Sequence, residues 1–212
     1  MIHDLFVATL ETLQMTFVSL LFSYLFGMPL AFIFVETKEN GLFPNVVINK
    51  ILDVVIAIGR AIPFIILMVL ILPFTRLLVG TGIGTTAVIV PLSVAATPFV
   101  ARVIEQELIK VDRWIIVAAR IDNASKLKIM FKIKFLSILP GFINGLGITA
   151  IAILGYTTMA GTVGGGGLGN YAIVYGFQRY NWVAVLLATS IIVVLVFMIQ
   201  SICQFLARLL KY

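Results

Sequence analysis

The chain has 212 residues, of which 61% are hydrophobic and 11% charged, with a mean hydropathy of +1.15. Soluble domains run at about 45–50% apolar and about 25% charged, so this chain has too little polar surface to face water; a soluble enzyme is excluded, and so is disorder, which needs low hydropathy. The net charge of +6 reads as topology rather than as affinity for nucleic acid, because Lys and Arg collect on the cytoplasmic side of membrane proteins.

A helix needs about 20 apolar residues to cross the hydrocarbon core, and five stretches qualify. The first covers about 13–35, with a bend expected at Gly27 and Pro29. No Lys or Arg precedes Lys38, so this run lacks the basic flank of a secretory signal and reads as a retained span. The second covers about 51–72 and contains Asp53, Arg60 and Pro63. The third covers about 85–103, with Pro91 and Pro98 inside it. The fourth covers about 136–159 and repeats small residues at Gly141, Gly145, Gly147, Ala150, Ala152 and Gly155. Small side chains let helices approach closely, so this span belongs at the centre of the bundle or against a second copy. The fifth covers about 182–206. The expectation is an all-α integral membrane protein, one transmembrane domain over 1–212, with a cytoplasmic loop at about 104–135.

Eight of the fifteen Lys and Arg fall between Arg102 and Lys134, which puts that loop in the cytoplasm. The N-terminus is then outside. The 36–50 loop lies inside, the 73–82 link and the 161–180 segment outside, and Arg208 and Lys211 end inside. The Lys126–Lys134 run alone reads as a basic loop at the lipid headgroups.

Much chemistry is missing. No Asp or Glu follows Asp122, so the last two spans hold no carboxylate to bind a coupling ion. Asp53 and Arg60 read as structural or interfacial. Glu105 and Glu107, two apart and so on different helix faces, read as solvated charges at the membrane edge. There is no phosphate-cradling Gly-x-x-x-x-Gly-Lys-Ser/Thr loop. The glycine-rich run at 164–169 reads as a tightly turned external loop. Cys203 lies in an apolar run as a packing residue, and His3 at a solvated terminus. With no metal cluster, no Ser/His/Asp set and no paired carboxylates, the chain is not expected to be a catalyst or to hold a cofactor.

The informative stretch is Ile116-Val117-Ala118-Ala119-Arg120-Ile121-Asp122-Asn123-Ala124-Ser125, then a basic run, then Ile138-Leu139-Pro140-Gly141. Ala118, Ala119 and Ala124 would allow close approach to a partner surface, and Arg120 and Asp122 polar contacts at its rim. The stretch resembles the signature of ABC importer permeases, in which Glu-Ala-Ala, three residues and Gly precede a Leu-Pro pair. Val117 stands where that signature has Glu, and Asn123 where it has Gly; Asn is the best non-Gly residue for a left-handed turn.

Further segments resemble the permease subunits of bacterial methionine importers. They are Arg60-Ala61-Ile62-Pro63-Phe64-Ile65-Ile66-Leu67, Ile71-Leu72-Pro73-Phe74-Thr75-Arg76, Val79-Gly80-Thr81-Gly82-Ile83-Gly84, Ala96-Thr97-Pro98-Phe99-Val100-Ala101-Arg102 and Gly155-Tyr156-Thr157-Thr158-Met159-Ala160-Gly161. The resemblance implies a type I permease fold with five spans in the bacterial inner membrane. It implies a coupling helix at Val117, Ala118, Ala119, Arg120, Asp122, Asn123 and Ala124. It also implies two permease copies, two ATPase subunits that hold the ATP and Mg, and an extracytoplasmic methionine-binding protein. D- or L-methionine would cross by alternating access, and Tyr156 and Met159 lie where the family narrows or gates the path. The alternatives are the same machine with another amino acid or small polar solute, an ion-coupled carrier, or a membrane scaffold without transport.

Overall fold

The computed structural model describes residues 2–210; Lys211 lies outside the described residues. Within them every regular element is helical. Helix α1 (Ile2–Glu36) begins well before residue 13, because residues 2–12 contain no Gly or Pro to stop it. It also continues unbroken through Gly27 and Pro29. Its hydroxyls are satisfied within the helix: Thr9, Thr12 and Thr16 donate to the carbonyls of Leu5, Ala8 and Thr12 at 2.7, 2.9 and 2.8 Å. Internal satisfaction of this kind lets a polar side chain sit in an apolar span.

The second span differs most from expectation. Helix α2 (Val46–Ala61) starts on Asn45, whose side chain accepts from the Ile48 amide at 3.1 Å. It stops at Ile62, which is extended (ψ 122°), because the ring of Pro63 disfavours helical geometry in the residue before it. Helix α3 (Phe64–Leu70) then departs at 104°. The stretch 51–72 is therefore two helices set at a sharp angle and not one straight span. Helix α4 (Leu72–Val79) occupies most of what read as a simple link, with Pro73 in its first turn and Gly80 closing it at φ 80°, the usual left-handed stop.

Helix α5 (Thr85–Ile109) runs beyond residue 103 into the stretch expected as loop. Helix α6 (Arg113–Ile121) is short and capped by Asp112, which accepts from the Trp114 amide at 2.9 Å. The chain continues through α7 (Lys126–Lys128), a π-helical turn (Ile129–Lys134) and α8 (Phe135–Ser137) into the long α9 (Leu139–Gly161). Then come α10 (Gly167–Asn170), a second π-helical turn (Tyr171–Phe177) and α11 (Trp182–Leu209).

Close helix approach organises the bundle. A Cβ at Gly27 of α1 would stand 2.7 Å from the Thr97 carbonyl oxygen and 2.8 Å from Val100 Cβ of α5. Helix α9 meets α5 at Gly145 and α11 at Gly147, where a Cβ would lie 2.9 Å from that of Cys203. Cys203 thus packs between helices. A core of Phe32, Ile56, Val100, Ile104 and Ile129 fills one half of the bundle, and Met15, Leu92, Ala96 and Ile153 another. Helix α11 is the opposite case: only 11% of its apolar window is buried, so within the single chain it offers a face suited to lipid.

The glycine run is tightly turned, as its composition suggests, and it is also a joint. Gly167 has φ 74°, and its amide donates to Glu11 at 2.7 Å, while the Leu168 amide donates to Thr12 at 2.8 Å. Leu168 is fully buried. This turn fastens the connection between α9 and α11 onto α1.

Gly27→Val should overpack the α1–α5 contact and cost about 1–3 kcal/mol, seen as a lower midpoint of thermal unfolding in detergent. Gly155→Ala is the control: its Cβ would meet nothing within 4 Å, and the midpoint should move by no more than about 0.5 kcal/mol in stability.

Candidate functional site

The signature stretch forms a knob at one end of the bundle. Asn123 adopts φ 54°, the left-handed conformation that Asn tolerates best after Gly, and turns the chain out of α6. The Ala124 amide then donates to the Ala119 carbonyl at 3.0 Å. Ala119 is buried, Ala124 half-buried, and Val117, Ala118, Arg120, Asp122 and Asn123 are exposed. The seven residues therefore do not share one face. Ala119 and Ala124 make their close approach to this chain's own core, beside Leu108, Ile129 and Met130, and only the other five point outward.

Two large apolar residues dominate the outward face, Trp114, which the sequence reading did not name, and Ile121, which it quoted without a role. Trp114 is 76% exposed and Ile121 74%. Ile115 adds to the same short helix. Large apolar side chains left uncovered together on one short helix mark an interaction surface. The available signal is their position: Trp114 sits just before the signature and Ile121 within it, on a helix too short to bury both.

What ties the knob to the bundle is charge. Lys134, in the π-helical turn, donates its Nζ to Glu36 Oε1 at the end of α1; the two side chains are 6% and 2% exposed. The other carboxylate oxygen accepts from the Leu42 amide at 2.9 Å. Among the described residues no buried side-chain polar atom lacks a partner. Lys134 thus departs from the headgroup-facing loop expected of the basic run. Aromatic contacts run alongside, with Phe131 against Phe32 at 6.0 Å and Phe142 against Tyr24 at 5.3 Å between centroids.

A second charge network locks α1, α2 and α5. Lys38 donates to Glu105 at 2.6 Å, Arg102 donates to the other Glu105 oxygen at 2.7 Å, and Arg102 also pairs with Asp53. Lys38 and Arg102 lie against the Phe34 ring at 4.8 and 5.1 Å, within cation–π range. Glu105 is therefore not a solvated charge: it is buried, because its spacing along α5 turns it inward to two cations. Glu107 is more open and pairs with Lys110 at 2.6 Å.

Tyr156 and Met159 lie three apart on one face of α9. Tyr156 is half-buried and stacks on Phe64, the first residue of α3, with centroids 5.0 Å apart and planes at 12°. Met159 is 45% exposed. The stack fastens α9 to the segment beyond the break in the second span. Among the described residues no group of three or more His, Cys, Asp and Glu is placed to hold a metal ion.

Breaking a buried pair on one side leaves an uncompensated charge and costs about 3–5 kcal/mol, whereas replacing both partners by apolar residues is often neutral. Glu36→Val alone or Lys134→Leu alone should therefore sharply lower the thermal midpoint of the purified protein, and the double variant should recover most of it. A double variant as unstable as the sum of the two would exclude the pair as the joint.

The family of binding-protein-dependent transport system inner membrane components matches residues 23–212. A probable D-methionine transport system permease protein from Vibrio cholerae is 45% identical over 204 residues, which cover 96% of this chain and 91% of that one. The methionine import system permease protein of Bacillus subtilis is 41% identical over 166 residues, covering 78% and 75%. Among solved structures, the native crystal form of the inward-facing MetNI methionine ABC transporter superposes with a TM-score of 0.98 at 37% identity, covering 100% of this chain and 98% of that one. An amino acid ABC transporter with histidines gives 0.78 at 18% identity, covering 96% and 92%, a likeness of fold.

Proposed function

From the premise that this chain belongs to the family of binding-protein-dependent transport system inner membrane components, we propose that it is the permease subunit of an ATP-driven methionine importer of the bacterial inner membrane. It is a transport subunit, and a separate ATPase supplies the hydrolysis. The observation that carries the reading is the knob: an apolar surface of Trp114, Ile115 and Ile121 set beside Arg120 and Asp122, left uncovered by the described residues. Exposed Val117 and Ala118, the turn at Asn123, and Ala119 and Ala124 beneath them complete the coupling element that an ATPase would push.

Two copies of the permease pack about a two-fold axis, with two ATPases inside and a methionine-binding protein outside. The whole chain is one transmembrane domain. Its N-terminus is extracytoplasmic and Arg208 cytoplasmic, an orientation supported by the cluster of Lys38, Arg102, Lys110 and Lys134 at the end of the bundle that carries α6. ATP binding closes the ATPase pair, and the knobs carry that motion to α1 and α5. The permeases then turn from inward-facing to outward-facing, because nucleotide binds the two states with different affinity. Hydrolysis resets them. Tyr156 and Met159 narrow the path, the first held by Phe64 and the second projecting as an adaptable, polarisable surface.

The test is co-purification with a methionine-type ATPase, then ATP-dependent uptake of labelled methionine into vesicles. Trp114→Ala should cost about 2 kcal/mol or more of docking energy, and Ala118→Trp should block docking by bulk. Either should cut ATPase capture and uptake at least about tenfold. Undiminished capture by both variants would exclude the knob as the docking surface. Separately, Met159→Ala should change the transport or basal ATPase rate without loss of assembly; wild-type rates would remove Met159 from the gate.

A further inference from the structure

A polar cleft lies outside the docking knob and the two charge networks. Between α2, α5 and α9 lies a cleft of about 220 Å³, with Arg60, Gln106, Glu107 and Asn144 as polar lining. Phe99, Val103 and Ile148 supply apolar wall. A neighbouring cavity of about 370 Å³ shares Glu107, Gly141 and Asn144 with it and reaches Lys110 and Ser137. The two compartments adjoin and lead toward the end of the bundle where α6 sits.

Glycines on α9 shape this cleft. A Cβ at Gly145 would stand 2.8 Å from Val103 Cγ1, and one at Gly141 would fall on the Glu107 carboxylate. Without a side chain at 141, that carboxylate can lie in the seam between α5 and α9. Lys110 donates to its Oε1 at 2.6 Å, and Oε2 has no donor of its own.

Arg60 is the unusual member. Arg102, nearby in the same lining, is spent on Glu105 and Asp53. Arg60 has no hydrogen-bond or ion-pair partner among the described residues, nor do Gln106 and Asn144. A cation within a membrane span is costly, and such residues face water-filled routes where they meet a ligand or counter-charge. A guanidinium offers two parallel N–H donors that match a carboxylate. The cleft thus places a free carboxylate receptor and a carboxylate oxygen around one small volume with an apolar side.

We propose that this cleft is an inward-side subsite for a free α-amino acid, with Arg60 binding the α-carboxylate, Glu107 and the Asn144 amide oxygen binding the α-ammonium, and Phe99, Val103 and Ile148 facing the side chain. It rests on the importer reading and adds that the permease itself recognises the zwitterion, on the side from which the cargo leaves. A simple anion would use Arg60 alone; a simple amine would use Glu107 alone. The amino acid satisfies both.

The experiment uses the permease–ATPase complex in nanodiscs without nucleotide, irradiated with a diazirine analogue of methionine and mapped by peptide mass spectrometry. Label should appear within 99–107 of α5 and 141–148 of α9. Excess methionine should displace it, and 3-methylthiopropylamine, which lacks the carboxylate, should not. Arg60→Gln should cut labelling at least about tenfold, with Arg60→Lys between it and the wild type and Glu107→Gln also reduced. If Arg60→Gln fails to assemble, the competition on the wild-type complex decides. Equal displacement by methionine and the amine, or unchanged labelling in an assembled Arg60→Gln complex, would overturn the subsite. ATP-driven methionine uptake by the wild type with label elsewhere overturns the subsite alone. Label in the cleft displaced by methionine, without ATP-driven uptake, overturns the importer reading and leaves the subsite standing.

Discussion

The structure turns on the buried contact between Glu36 and Lys134. One partner closes the first helix, and the other sits in the π-helical turn that follows the knob. Taking two charges out of water is expensive, and their attraction repays it only when geometry is good and the remaining lone pairs are used. Here the second carboxylate oxygen is used by the Leu42 amide, which folds the 36–42 turn around the same carboxylate. The joint therefore fixes three things at once: the end of α1, the turn after it, and the segment that carries α6. A π-helical turn suits this position, because its wider winding redirects one side chain without ending the helix.

From that joint, a series of fastenings runs back along α1. At the near end Lys38, Arg102, Glu105 and Asp53 bind α1 to α5 and α2. In the middle Gly27 lets α1 and α5 touch backbone to side chain. At the far end Glu11 and Thr12 hold the amides of Gly167 and Leu168. One long helix is thus fastened to the knob at one end and to the α9–α11 connection at the other. The helix is thereby held as a rod against its neighbours, not left to slide independently. Packed interiors resist continuous deformation, so displacement passes to neighbouring elements as rigid-body motion.

The spans were legible because the apolar runs are long and turn residues punctuate them. Thr85 and Trp182 begin their helices where the pattern places them. Helix ends were less legible. Pattern alone stopped the first span near residue 13 and the third at 103, since polar residues such as Glu11 and Glu105 look like boundaries until their partners in space are known. Glu11 receives an amide 156 residues away, and Glu105 a lysine 67 residues away. The same blindness to distant partners made Lys134 a surface charge. Local rules succeeded where the physics was local: Asn123 takes the left-handed turn that its place in the signature requires. The alanines beside it were legible as close-approach residues but not as inward-facing ones, because one sequence cannot say which side of a short helix meets the chain's own core.

The break at Ile62–Pro63 gives the bundle its functional asymmetry. Helix α2 ends at Ala61 and does not run straight on into α3. Instead α3 leaves at 104° and touches α9 through the stack of Phe64 on Tyr156. Below the break, α2 presents Arg60 to the cleft it shares with α5 and α9. Above it, Met159 projects with nearly half its surface uncovered. Proline chemistry at one peptide thus separates a polar compartment on the side of the knob from the aromatic stack of Phe64 on Tyr156 beyond it. A ring stack between two helices is offset-tolerant and worth about 0.5–1.5 kcal/mol beyond burial, whereas loss of either Glu36 or Lys134 alone would strand a buried charge. The aromatic contact is the one that can open without leaving an unsatisfied polar group behind, which makes it the softer of the two fastenings.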